Sequence, residues 1–211
     1  MKTIYLVRHG ETTHNKKPER IQDGTTLLTE QGQRQAVRVA ERLQNLDFQN
    51  LIVSDYERTK QTAEPIVKLS GLTPEYTELF REVRRPSVFF HELRGSDQVQ
   101  SFLKQESDNF AVDPAVHHSD EENFIDASDR AKQALRYLET LDGDAVVVSH
   151  GHFIRHMTAQ VTTGFSLDGP LWQKMSKSAV ASNTGITTLQ FFPDESHWRI
   201  LTYNDHAHFA E

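Results

Sequence analysis

Three strand-sized apolar runs punctuate the chain, at residues 3–7, 51–53 and 145–148. Short unbroken runs of this kind suit strands buried on both faces of a parallel sheet. Between them the apolar positions change period. Ala36, Val39, Ala40 and Leu43 recur at helical spacing behind Thr29, a candidate N-cap. Thr62, Ala63, Ile66 and Val67 share a second helical face, although Pro65 stands inside that pattern. Ala131, Ala134, Leu135 and Leu138 form a third stripe, with Ser128 as its candidate cap, and Phe153, Ile154 and Met157 open a fourth. Residues 186–192 and 198–203 are expected to be the last two strands, a hairpin at the sheet edge. The order strand-helix-strand-helix, helix-strand-helix, strand-strand predicts an α/β fold. Its form is a three-layer sandwich, with a mostly parallel central sheet and helices on both faces.

Two stretches break the alternation. Residues 12–26 are polar, carry Lys16, Lys17 and Arg20, and are expected to loop over a site. Residues 83–127 hold Arg84-Arg85-Pro86, the pair Phe89-Phe90, one helical pattern with Val99, Phe102 and Leu103, and acidic residues at 120–122. Alternation resumes directly afterwards, so this segment is expected to be a cap-like insertion at about 83–127 within a single domain spanning 1–211.

Composition narrows the function. The 211 residues include no cysteine, which removes disulfides, thiolate catalysis and cysteine-based zinc sites. With 23 basic and 30 acidic residues the formal charge is −7, the wrong balance for non-specific nucleic-acid binding. No apolar run approaches the roughly 18 residues of a membrane span. The start, Met1-Lys2 and a short strand, lacks the apolar stretch of a signal peptide, so a cytoplasmic protein is expected. Any anionic substrate must be drawn by a local basic cluster.

Such a cluster is written at the strand ends. The first run ends in Arg8-His9-Gly10, the second in Ser54 with Arg58 one helical turn on, and the third in Ser149-His150. Parallel strands present their carboxyl ends at one sheet edge, where ligands of open α/β sheets bind. Two arginines and two histidines converging there suit a compact dianion. The guanidinium fork matches phosphate oxygens, and an imidazole serves as nucleophile near neutral pH. A metal reading competes, because His150, His152 and His156 are closely spaced and His206 and His208 follow near the end. No carboxylate stands among them as in H-E-x-x-H, and the two C-terminal histidines are expected to be solvated.

Arg8-His9-Gly10-Glu11-Thr12 followed by Asn15 resembles the signature of the histidine phosphatase superfamily, the phosphoglycerate mutase-like proteins. Further blocks extend the resemblance over most of the chain in family order. They are Leu28-Thr29-Glu30-Gln31-Gly32 with Gln35-Ala36, Ser54-Asp55-Tyr56-Glu57-Arg58 with Gln61-Thr62-Ala63, and Val148-Ser149-His150-Gly151 with Arg155. The resemblance implies that His9 is a nucleophile forming a phosphohistidine. It implies that Arg8, Arg58 and His150, assisted by Asn15, hold the phosphoryl oxygens. A carboxylate soon after the second block serves as general acid; Glu82 fits best, with Glu75, Glu78 and Glu92 as alternatives. No metal or cofactor is required. A phosphatase is expected over a mutase, because Gly24-Thr25-Thr26 stands where the mutase branch carries a Gly-Trp pair, and because 83–127 is short. A catalytically silent phosphate-binding or regulatory domain is the alternative outside enzymes. The expected substrate is a small phosphorylated metabolite, or a phosphoprotein if the site is open. Arg84, Arg85, Lys16 and Lys17 either touch further anionic groups or are solvated; Phe89 and Phe90 either line a recognition surface or pack the cap.

Overall fold

A computed structural model describes residues 1–209 and contains a six-stranded sheet in the order β3-β2-β4-β1-β5-β6. The strands are β1 (Lys2–Arg8), β2 (Asn50–Ser54), β3 (Glu75–Thr77), β4 (Ala145–Ser149), β5 (Ile186–Phe192) and β6 (His197–Asp205). β1, β2, β3 and β4 run parallel; β5 pairs antiparallel with β1 and β6 antiparallel with β5, which is the expected edge hairpin. The helices are α1 (Glu30–Leu43), α2 (Glu57–Ser70), α3 (Asp97–Val112), α4 (Phe124–Thr140), α5 (Gly151–Thr162) and α6 (Gly169–Ser178).

The unbroken apolar runs explain the two covered faces. Successive side chains of a strand point to opposite sides. Ile4, Leu6, Ile52, Ala145 and Val147 therefore pack against Ala131, Leu135 and Leu138 of α4 and Phe153 and Met157 of α5. Their neighbours Val7, Leu51, Val53, Val146 and Val148 pack against Val39, Ala40 and Leu43 of α1 and Ala63 and Ile66 of α2. Every residue of β4 is buried, as the central position requires.

Thr29 caps α1 through its side chain, which accepts from the Gly32 N–H. Pro65 lies inside a continuous α2. Pro65 leaves the Gln61 carbonyl without its usual helical donor, yet α2 runs on to Ser70. Ser128 does not cap α4. The helix starts a turn earlier at Asn123, whose side chain and that of Asp126 form a reciprocal capping box, so Ser128 lies buried inside the helix. The irregular segment thus ends at Asn123. Its helix α3 and the residues before it form a small core of their own, with Phe89, Val99 and Phe102 closing on Ile21 of the 12–26 loop. Phe110 of α3, Phe124 of α4 and Trp172 and Met175 of α6 form another, which fastens the far end of α3 to the body. Among the described residues no helix is long and apolar enough to cross a membrane.

Candidate active site

The carboxyl ends of β1, β2 and β4 meet, as their parallel register dictates: Arg8 lies beside Ser149, and Val53 beside Val148. A cleft of about 400 Å³ opens over them, lined by Arg8, His9, Asn15, Arg58 and Glu82. His9 is 2% exposed, and its ring lies 5.2 Å from that of fully buried His150, edge to face. The backbone packs tightly beneath. A Cβ on Gly10 would fall 2.5 Å from the Gly32 carbonyl oxygen, and one on Gly32 would fall 2.0 Å from that of Glu11. Two glycines therefore let the turn after β1 rest directly on the start of α1. The Gly10 N–H donates to Thr62 Oγ1 of α2 (3.0 Å), which pins the same turn from the other side.

His9 Nδ1 donates to the Gly10 carbonyl (2.8 Å), which leaves Nε2 with its lone pair. Burial, and then the charges of Arg58 and Arg8, hold His9 well below the usual imidazole range, so it is neutral at pH 7. His150 is depressed likewise, by burial first and by Arg58 next. It is therefore neutral and not an imidazolium. Its Nε2 pairs with Ser54 Oγ at 2.8 Å, and its Nδ1 makes no hydrogen bond within the chain.

Arg58 is 1% exposed, lies over the Tyr56 ring at 4.9 Å and donates from Nη1 to the Asp23 carbonyl at 2.6 Å. Burial lowers its pKa to about 10, so it still carries its charge at neutral pH. Arg8 donates to the Ala181 carbonyl, and its Nε lies against Gly151, where a Cβ would sit 3.1 Å away. The Nε groups of Arg8 and Arg58 are both buried without a partner, two donors beside the imidazole pair. Buried donors of this kind are expensive unless an acceptor arrives.

Glu82 joins the cleft from the segment after β3. Its carboxylate accepts from the N–H groups of Val83 (2.9 Å), Phe153 (2.9 Å) and His152 (3.2 Å). The last two belong to the first turn of α5. The alternatives lie elsewhere: Glu75 binds the Tyr137 hydroxyl, Glu78 pairs with Arg81 at the surface, and Glu92 is exposed. Asn15 turns its side chain inward, taking a bond at 3.3 Å from Asn183, which also donates to the His9 carbonyl at 2.9 Å. Asn183, Tyr56 and the Asp23 carbonyl complete the site. Of these Asn183 has no signal in the sequence, since it lies in the irregular loop before β5.

The ambiguous residues also find places. Arg84 and Arg85 line the cleft, Phe90 lines it too, and Phe89 is buried within the cap. Lys16 and Lys17 are exposed outside it. Arg85 donates to both oxygens of Glu106 at 2.5 and 2.6 Å and to His152 Nδ1 at 2.9 Å. His152 stacks on Trp172 and the His156 ring lies tilted against it, and among the described residues no group of three or more His, Asp or Glu side chains could hold a metal ion. Of the C-terminal histidines, His206 is exposed, but His208 is half-buried with Nε2 at 3.2 Å from Thr184 Oγ1, so it is not a solvated tail residue.

Known proteins share this architecture. The family model described as the histidine phosphatase superfamily (branch 1) matches residues 4–206. A probable phosphoglycerate mutase GpmB from Salmonella choleraesuis is 28% identical over 99% of this chain and 95% of its own length. The same-named protein of Escherichia coli O1:K1 is 31% identical over 72% and 70% of the two chains. Among solved structures, phosphoserine phosphatase from Entamoeba histolytica in complex with 3-phosphoglyceric acid superposes with a TM-score of 0.77 at 26% identity, covering 99% of both chains. A mycobacterial glucosyl-3-phosphoglycerate phosphatase has the same fold, with a TM-score of 0.78 at 24% identity over 97% and 99% of the two chains.

Proposed function

This chain belongs to the histidine phosphatase superfamily, and on that premise we propose that it is a phosphomonoester hydrolase working through a phosphohistidine on His9, without a metal. The observation that carries the reading is the neutral, Nδ1-anchored His9 set beside two buried guanidiniums with unpartnered Nε groups. His9 Nε2 attacks phosphorus in line with the leaving oxygen; the N–P bond forms as the P–O bond breaks. Arg8 and Arg58 neutralise the equatorial oxygens, His150 lends its free Nδ1 side, and Asn15 assists, since positioning and electrostatics dominate phosphoryl transfer. The Glu82 carboxyl delivers a proton to the leaving oxygen. It then takes one from the water that breaks the N–P bond, releasing inorganic phosphate and restoring His9.

The cleft indicates the substrate class. Its lining holds Arg8, Arg20, Arg58, Arg84, Arg85, Arg94, Arg155 and Lys177 against only Glu19 and Glu82. Arg85, Arg94 and Arg155 line the cleft beside the phosphate-binding pair. Burial first and the charge of Arg85 next lower Arg94 and Arg155, whereas Arg85 itself, against its burial, is raised by its pairing with Glu106. A small metabolite with a second anionic group beside its phosphate suits this lining. Phosphoserine and 3-phosphoglyceric acid, found with the Entamoeba phosphoserine phosphatase, have that form. Mutase chemistry is the second reading, supported by the names of the sequence relatives; Gly24-Thr25-Thr26, without tryptophan, favours hydrolysis.

Incubation with 3-phosphoglycerate separates the two. Inorganic phosphate should appear without 2-phosphoglycerate, and the reverse result assigns the mutase. His9→Ala should abolish both turnover and acid-labile labelling from a radioactive phosphomonoester; full activity in that variant refutes the nucleophile. Arg94→Ala should raise KM for 3-phosphoglycerate about tenfold while leaving KM for an aryl phosphate with no second anionic group near wild type. Equal effects on both substrates would remove the second anionic group from the argument.

A further inference from the structure

The cap and the phosphate-binding arginine are joined by a chain of hydrogen bonds that the proposed chemistry does not use. Thr13 Oγ1 pairs with His14 Nδ1 at 3.1 Å, His14 Nε2 with His91 Nδ1 at 3.0 Å, and His91 Nε2 with Asp23 Oδ2 at 3.2 Å. The chain is fully satisfied with both imidazoles neutral if each donates from Nε2. The hydroxyl of Thr13 then donates to His14, His14 to His91, and His91 to the carboxylate. His91 belongs to the cap, whereas Thr13, His14 and Asp23 belong to the loop after β1.

Asp23 is the pivot. Its carboxylate accepts from Thr25 N (3.0 Å), Thr25 Oγ1 (2.9 Å) and Thr26 Oγ1 (2.8 Å), which fixes the turn around it. Its carbonyl receives the Arg58 Nη1 donor at 2.6 Å. The next residue's carbonyl, of Gly24, accepts from the Glu57 N–H at the start of α2 (3.0 Å). The carboxylate thus sets the orientation of the carbonyl that holds Arg58. His91 reaches it from the left-handed region, with φ at 68°, which is uncommon for residues other than glycine although histidine enters it more readily than most. Arg20 braces that residue by donating to the His91 carbonyl at 2.7 Å. A left-handed histidine held by four contacts, from His14, Asp23, Arg20 and the Ile21 carbonyl that accepts its N–H at 2.9 Å, is a built feature of the loop–cap junction.

We infer that His91 is a positioning residue for Arg58: docking of the cap, through His91 and Asp23, sets the guanidinium that receives the phosphoryl oxygens. The inference rests on the proposed phosphate-binding role of Arg58. Its test uses sulfate, whose charge is constant across neutral pH and whose binding requires no turnover. A wild-type protein that binds sulfate but hydrolyses nothing would sink the phosphatase reading and leave this one standing.

His91→Asn is the variant of choice, because asparagine tolerates the left-handed backbone while its short amide cannot span from His14 to Asp23. Calorimetry should show sulfate affinity reduced about three- to tenfold, the value of one lost hydrogen bond. The Nε–H resonance of Arg58 in nitrogen-15-labelled protein, assigned with Arg58→Lys, should shift in the same variant. His91→Gln, whose longer amide reaches the carboxylate, should restore both readouts. Unchanged sulfate affinity in His91→Asn overturns the inference. So does reduced affinity with an unmoved Arg58 resonance, because the effect would then bypass the arginine.

Discussion

At the scale of single residues, the site is a set of neutral histidines kept so by burial and by the cations around them. His9, His150, His152 and His156 are all held well below the ordinary imidazole range, chiefly by burial and then by arginines. Unfolding returns each to about 6.5, so below that pH the unfolded chain binds more protons than the folded one. Stability is therefore fully present above about pH 6.5 and is lost as pH falls. Each histidine adds a slope of up to about 1.4 kcal/mol per pH unit. Urea midpoints between pH 7.5 and 5 should show this decline, and His156→Gln, remote from the phosphate arginines, should make it shallower. Gly32 is the other sensitive position. Alanine there would put Cβ 2.0 Å from the Glu11 carbonyl oxygen. Gly32→Ala should therefore lower both the melting temperature and phosphate affinity, because the turn carrying His9 cannot stay on α1.

Among elements, the capping box at Asn123 sets where the irregular segment ends. Asn123 also donates to the Ala115 carbonyl at 2.8 Å and pairs with His117 Nε2 at 2.9 Å, so it ties the 113–123 segment to the start of α4. Asn123→Ala should cost about 1–2 kcal/mol in urea titrations without changing sulfate affinity. This boundary shows what the sequence hides. Ser128 and Asn123 are both good caps in isolation, and only the reciprocal bond to Asp126 chooses between them. The three strand ends at the candidate site are legible because β1, β2 and β4 are apolar runs that stop at polar residues. β3 was not, being three residues at the edge with no apolar run, and α6 was not, since it buries only Gly169 and Trp172. Asp23 escaped notice for a different reason. It acts through its backbone carbonyl, which carries no residue signature, and its side chain acts on its own turn.

Across the whole molecule, charge is sorted by place. A chain with a formal charge of −7 places seven of its fourteen arginines around one cleft, so the field that admits an anion is local. Salt should weaken sulfate binding, and Arg94, about half exposed, should account for more of that dependence than buried Arg58. Measuring the salt slope of sulfate affinity in Arg94→Ala checks this, with a shallower slope expected.

The buried Arg58 bonded to the Asp23 carbonyl has a consequence for how such a protein diversifies. A cap that merely walled the cleft could be exchanged to suit a new leaving group while phosphate affinity stayed constant. Here the turn that holds the arginine also touches the cap, at His91. With Arg58 in its proposed phosphate-binding role, a lineage that rewrites the cap would inherit a retuned grip on the phosphate with it, so selectivity and turnover would drift together.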